Sequence, residues 1–212
     1  MTLFRLNKTV SLVAILCFAA AAALAQDGAP RDEILINKRP MVDFQNSLLE
    51  KLEKGDVNWQ GEFSLELTGS LDGTGRIDPS SVVINTNGDP ILTAVALEGI
   101  EAVNSAGFFQ YINGLLESKI MITIAQDDEN LTAVLRSSAE TERRAKSVEH
   151  IFTIIRTSTL ARLRKDPSPG AKYDKSIFNA TSISRNEKII EIKMLMPKTD
   201  FHGMIKQLLT EQ

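Results

Sequence analysis

The sequence predicts an α+β protein in which three successive strand-strand-helix units follow an N-terminal helix. Short stretches of alternating apolar and polar residues come in pairs joined by turn residues, and each pair precedes a stretch with helical spacing. Paired antiparallel strands present one apolar face, which amphipathic helices can cover. We therefore expect mainly antiparallel sheets with the helices on one face.

The N-terminal helix is predicted to begin at Pro40, because proline suits the first turn of a helix. Gly55 ends it, since glycine tolerates the left-handed conformation that closes many helices. The apolar residues between them recur at helical spacing: Met41, Phe44, Leu48, Leu49 and Leu52.

The first hairpin follows, with alternation at residues 63–68 and a D-G-T-G turn at 72–75. The returning strand is predicted at 76–85, and Pro79 marks its early part as an edge or a bulge. Asp89 can cap the next helix, and the apolar face of that helix runs from Leu92 to Val103.

The second unit repeats this order. Residues 119–125 and 131–135 alternate as strands around a turn at 126–130, and a long helical pattern covers 139–164. These elements predict a second hairpin covered by its own helix.

The third unit begins after a Pro- and Gly-containing loop at 165–172. Strands are predicted at 176–184 and 188–196, with a reversal between them at 185–187. A final amphipathic helix is predicted at 199–209.

The first 25 residues have the order of a secretory signal. Arg5 and Lys8 precede an apolar run that ends in the small-residue sequence Ala23-Leu24-Ala25. Cleavage there predicts a mature protein with no integral membrane anchor, which begins with a flexible leader at residues 26–39. An uncleaved anchor is the alternative.

The composition indicates the cellular compartment and disfavours one class of partner. Cys17, the only cysteine, lies in the signal, so the mature chain is disulfide-free, as is ordinary in a bacterial periplasm. Loss of Arg5 and Lys8 leaves 22 basic against 27 acidic side chains, a formal charge of −5. That charge does not favour nucleic-acid binding, which needs a basic surface.

Residues 67–112 contain three short motifs, SLDGTGRI at 70–77, NGDP at 87–90 and AVALEGI at 94–100. Through these motifs the segment resembles the carboxy-terminal domain family of TonB. It implies a protein-binding fold and transfers no active site. TonB energy transducers keep a membrane anchor and a long Pro-rich spacer, whereas this chain is predicted to have a cleavable signal and a short leader.

Two domains are predicted, a TonB-like α+β domain at 40–118 and a second ββαββα domain at 119–212. The predicted function is a non-catalytic periplasmic adaptor that binds envelope proteins. Addition of a partner strand to an exposed sheet edge is the expected means. The candidate edge is the strand at 119–125, with Ile120, Ile122 and Ile124 on one face.

The sequence gives weaker evidence for other classes of function. A carrier of a small ligand, lipid or copper(I) is the alternative, because Met194, Met196 and Met204 could line an apolar pocket or supply thioether ligands. No catalytic residue, cofactor or metal site is predicted. His150 and His202 lack a recognisable catalytic context, and the acidic sequence at 127–129 lacks the spacing of a calcium loop.

Overall fold

The computed structural model describes residues 36–210, and in it every strand belongs to one antiparallel sheet. The predicted signal at 1–25 and most of the predicted leader lie outside the described residues. The strand order is β2-β1-β3-β4-β6-β5. The strands are β1 (Phe63–Ser70), β2 (Val83–Gly88), β3 (Lys119–Gln126), β4 (Asn130–Ser138), β5 (Thr181–Asn186) and β6 (Ile189–Pro197).

Five α-helices cover one face of this sheet, which confirms the predicted α+β class. Strand residues such as Leu65, Ile122 and Met194 on the covered face are buried, while the opposite face carries mostly polar, partly exposed side chains. The helices are α1 (Arg39–Glu53), α2 (Pro90–Ala106), α3 (Glu142–Leu163), α4 (Pro169–Ala180) and α5 (Lys198–Thr210).

The two halves of the chain meet through β1 and β3. Eight residue pairs join these strands, from Phe63 opposite Gln126 to Ser70 opposite Lys119. The predicted units 40–118 and 119–212 therefore share one continuous sheet. Their behaviour as separate domains stays a prediction.

The prediction that residues 119–125 form an exposed edge is wrong. β3 pairs with β1 on one side and with β4 on the other, so its backbone bonds are made within the sheet. Ile120, Ile122 and Ile124 are buried against the helices. The true edges of the sheet are β2 and β5.

Two element boundaries also differ from the predictions. Part of the expected loop at 165–172 and the first part of the expected strand at 176–184 form α4 instead. Ser168 caps this helix by accepting a hydrogen bond from the Ala171 N–H. The expected strand at 76–85 begins only at Val83, because a 3-10 turn at Pro79–Ser81 interrupts it. Pro79 begins the 3-10 turn and Pro169 begins α4, and proline is compatible with the first turn of a helix.

Local turn and cap predictions are confirmed at several positions. Asp89 accepts hydrogen bonds from the N–H groups of Ile91 and Leu92 at the start of α2. Gly55 follows the end of α1 with φ +74°. Within residues 36–210, no helix combines the length and the apolar character needed to cross a membrane.

Candidate functional site

β2 offers the more open edge of the sheet. All six of its residues are exposed, including Val83 at 57% and Ile84 at 43% of their surface. The strand pairs only with β1, and it contains neither a charged residue nor a proline. Exposed edges usually carry such features because they discourage pairing with another chain.

The free hydrogen-bonding groups of β2 can be assigned from its register. Glu62 lies opposite Asp89 and its carbonyl accepts a 2.8 Å hydrogen bond from the Asp89 N–H. Ladder bonds of an antiparallel pair alternate along each strand. The N–H and C=O groups of Ile84 and Thr86 therefore point away from β1 and remain free to pair with an added strand.

β5, the opposite edge, is protected by charge. Arg185 Nε lies 3.3 Å from a carboxylate oxygen of Glu149 on α3, and its Nη1 donates to the Glu187 carbonyl at 3.1 Å. This arrangement holds a guanidinium group at the β5 edge. Strand addition is consequently favoured at β2 over β5.

An apolar cavity of about 60 Å³ lies between the helices and the covered face of the sheet. Its walls come from α1, α2, α5 and four strands, and most of the wall residues are buried. Phe44 and Trp59 are the half-buried wall residues, so they mark its outer side. Met194 and Phe201, from the part of the chain predicted to form a ligand pocket, contribute to the wall.

Two polar side chains hold the segment that carries Trp59 through three hydrogen bonds. We call residues 58–62 the Trp59 loop. Gln126 Nε2 donates to the carbonyls of Trp59 at 2.8 Å and Gly61 at 2.7 Å, and Lys198 Nζ donates to the Gln60 carbonyl at 2.9 Å. Gln126 and Lys198 are 2% and 6% exposed, so the donors of these part-buried bonds are largely shielded from water.

The Trp59 side chain packs against two neighbouring rings of α5. Its centroid lies 5.8 Å from that of Phe201, edge to face, and 6.2 Å from that of His202. Burial lowers the pKa of His202, and the positive charges of Lys198 and Lys206 lower it further. A hydrogen bond to the Trp59 backbone acts in the opposite direction.

We expect His202 to lower the stability of the folded protein at acid pH. Because its pKa is lower in the folded protein than the ordinary value near 6.5, the unfolded chain binds more protons between these two values. Stability therefore decreases as the pH falls below about 6.5. Urea midpoints at several pH values should show a shallower acid loss for His202→Gln than for the unaltered protein.

His150→Gln is the matched control, because it removes an exposed histidine from α3. It should keep the slope of the unaltered protein. Equal slopes for His202→Gln and the unaltered protein would contradict the assignment to His202.

The methionines predicted as copper ligands divide between two cavities. Met194 lines the apolar cavity, whereas Met196 and Met204 line an open cleft of about 550 Å³ between α4 and α5. In the described part of the chain, no cluster of three or more His, Cys, Asp or Glu side chains is arranged to hold a metal ion.

The acidic sequence at 127–129 stabilises a turn. Asp127 Oδ1 accepts hydrogen bonds from the N–H groups of Glu129 at 2.8 Å and Asn130 at 2.7 Å. These two bonds, of which the one from Asn130 has the larger effect, hold the pKa of Asp127 below its usual value.

The sequence did not predict a functional role for Trp59, Gln126 or Lys198, because their partners lie far away in the chain. The available signal was that Trp59, the only tryptophan of the sequence, stands just before a predicted strand.

No protein-family model, curated protein or solved structure matches this chain. The resemblance of residues 67–112 to the TonB carboxy-terminal family stays a prediction.

Proposed function

We propose that the protein is a non-catalytic periplasmic adaptor that binds an extended segment of another envelope protein along β2. The observation that carries this proposal is the open edge of β2, with its exposed side chains and outward-pointing N–H and C=O groups at Ile84 and Thr86. An added strand would gain backbone hydrogen bonds from these groups. The periplasmic location rests on the signal-like sequence at residues 1–25.

Side chains on both faces of β2 supply selectivity in this proposal. Val83 lies on the uncovered face of the sheet and Ile84 on the helix-bearing face, because successive side chains of a strand alternate. Both are exposed. The partner segment should therefore carry apolar residues at neighbouring positions and no charge opposite them.

We expect Thr86→Pro to weaken partner binding about tenfold or more, because proline removes an outward N–H and its ring obstructs an added strand. The bonds from β2 to β1 should remain, since proline is tolerated on an edge strand when its N–H faces solvent. Thr86→Val is the matched control, because valine keeps the N–H and suits a strand. Capture from an envelope extract of the source organism would compare residues 26–212 of the three proteins.

Hydrogen exchange then locates the contact. Binding of the captured partner should slow exchange of the Ile84 and Thr86 amides in the unaltered protein and in Thr86→Val. Undiminished capture by a folded Thr86→Pro variant, or unchanged exchange at β2 in the complex, would reject the proposal.

A carrier of a small ligand is the second candidate, and the apolar cavity beside Trp59 is the observation that favours it. Its size does not suit a whole lipid chain, since a cavity of roughly 150 Å³ is needed to hold benzene. The division of the methionines between two cavities weakens the copper(I) version of this function.

A further inference from the structure

α3 and the two residues after it carry an excess of positive charge in an otherwise acidic protein. Residues 142–165 contain seven basic and two acidic side chains, a formal charge of +5. The rest of residues 26–212 contains 15 basic and 25 acidic side chains, a formal charge of −10. A charge distribution of this kind attracts an anionic partner to α3 and repels it from the remaining surface.

The side of α3 that faces water has basic residues at both ends and no acidic residue. We call this side the outer face of α3, and all of its members are exposed: Arg143, Lys146, His150, Ile154, Ala161 and Arg164. They share one side because residues three, four or seven apart in a helix lie above one another.

The two acidic residues of α3 have other roles. Glu142 lies in the first turn, where a carboxylate interacts favourably with the helix dipole. A carboxylate oxygen of Glu149 lies 3.3 Å from Arg185 Nε on β5. Neither role requires the basic residues of the outer face.

Four exposed basic side chains of this region form no hydrogen bond or ion pair within residues 36–210. They are Arg143, Lys146, Arg164 and Lys165. Arg144 and Arg156, in contrast, support the fold. Arg144 Nη2 donates to the Gly114 carbonyl and Arg156 Nε to the Phe178 carbonyl, both at 3.0 Å. The four unpaired cations remain available to phosphate groups outside the protein.

The shape of the outer face favours a lipid surface over a peptide. Peptides are usually held in grooves or at sheet edges, whereas the outer side of a helix is convex. α3 has 22 residues and is about 33 Å long, with two of the unpaired cations at each end. Ile154, which is 50% exposed, lies between them. A plane of lipid phosphates can meet both ends at once, and an apolar side chain can enter the interface.

We propose that the outer face of α3, together with Lys165, docks the protein on an anionic phospholipid membrane. α3 packs against β5 and β6, at the end of the sheet opposite β2. Docking there leaves the β2 edge accessible to a partner strand. The inference goes beyond strand addition and does not depend on it.

Co-sedimentation of residues 26–212 with lipid vesicles tests the proposal. Vesicles of phosphatidylglycerol and phosphatidylcholine in equal parts should bind the protein, and vesicles of phosphatidylcholine alone should not. Raising the NaCl concentration from about 0.1 M to about 1 M should release the protein, because the distance over which charges act falls from about 10 Å to about 3 Å.

The double variant Arg143→Gln with Lys146→Gln should bind the mixed vesicles about 25-fold more weakly. Each Lys or Arg near an anionic membrane strengthens binding about fivefold. Glutamine keeps a high helix propensity, so the helix should remain. Arg164→Gln with Lys165→Gln tests the other end of the outer face and should have a similar effect.

Lys119→Gln with Lys193→Gln is the matched control. It removes the same charge from the uncovered face of the sheet, because both residues alternate with buried neighbours of β3 and β6. This variant should bind the mixed vesicles as the unaltered protein does. An equal loss in the control would assign the binding to net charge and overturn the role of α3.

Other results would also overturn the proposal. They are absence of binding to the mixed vesicles at about 0.1 M NaCl, where charges still act over about 10 Å, and equal binding to phosphatidylcholine alone. Release of the protein from the mixed vesicles by an equal concentration of polyglutamate would identify an acidic polypeptide as the partner instead. Thr86→Pro should bind vesicles normally, so failure at β2 and failure at α3 are distinguishable.

Discussion

Gly88→Ala should destabilise the protein by about 3 kcal/mol or more, the largest effect expected of a single methyl group in this fold. Gly88 has φ +87°, and a Cβ there would lie 2.3 Å from the Glu62 carbonyl oxygen and 2.8 Å from Phe63 Cα. Both neighbours are backbone atoms at the start of β1, the strand that pairs with β2. Urea unfolding monitored by circular dichroism would measure the loss.

Gly73→Ala provides the matched control. Gly73 lies in the first hairpin turn, a Cβ there meets no atom within 4 Å, and its φ is not in the left-handed region. Its effect should stay within about 0.5 kcal/mol. Similar stabilities for the two variants would mean that the corner between β2 and α2 relaxes easily. The shape of the β2 edge would then be less constrained than the structure indicates.

Gln126→Ala should cost about 1–3 kcal/mol, because it removes two hydrogen bonds to part-buried carbonyls. These carbonyls belong to Trp59 and Gly61, and Gln126 itself is almost completely buried. Loss of both bonds should also loosen the Trp59 loop. Urea unfolding would report the stability, and a red shift of Trp59 emission in the folded variant would report greater contact with water.

Gln60→Ala tests whether any change in this loop has the same result. The Gln60 side chain is exposed, and only its backbone carbonyl accepts the bond from Lys198. This variant should keep both the stability and the emission wavelength. An unchanged emission in folded Gln126→Ala would show that Lys198 and the packing against Phe201 suffice to hold Trp59.

The elements that the sequence predicted correctly depend on neighbouring residues. The cap at Asp89 and the left-handed glycine at Gly55 act within one helical turn. The alternation in β3 and β4 reports that one side of each strand is buried. Local chemistry of this kind can be recognised before any tertiary contact is known.

α4 shows where local signals are ambiguous. Pro167, Pro169 and Gly170 are typical of a loop, yet Ser168 followed by proline is also a helix start. Burial of Tyr173 and Ile177 in the main core stabilises the helix that follows. Tertiary packing, which supplies most of the stability of a short helix, selected one of the two outcomes.

The α+β class, the three hairpins and the buried faces of β1, β3 and β4 follow from the sequence. Which strand forms an edge depends on long-range pairing, because alternation looks the same in a central strand and an edge strand. β3 is central because it returns to pair with β1 across nearly fifty intervening residues, as the pair Ser70 and Lys119 shows. The same long-range pairing leaves β2 open, and long-range packing brings Gln126 and His202 to Trp59. Neither site can be read from local sequence, because each depends on contacts between residues far apart in the chain.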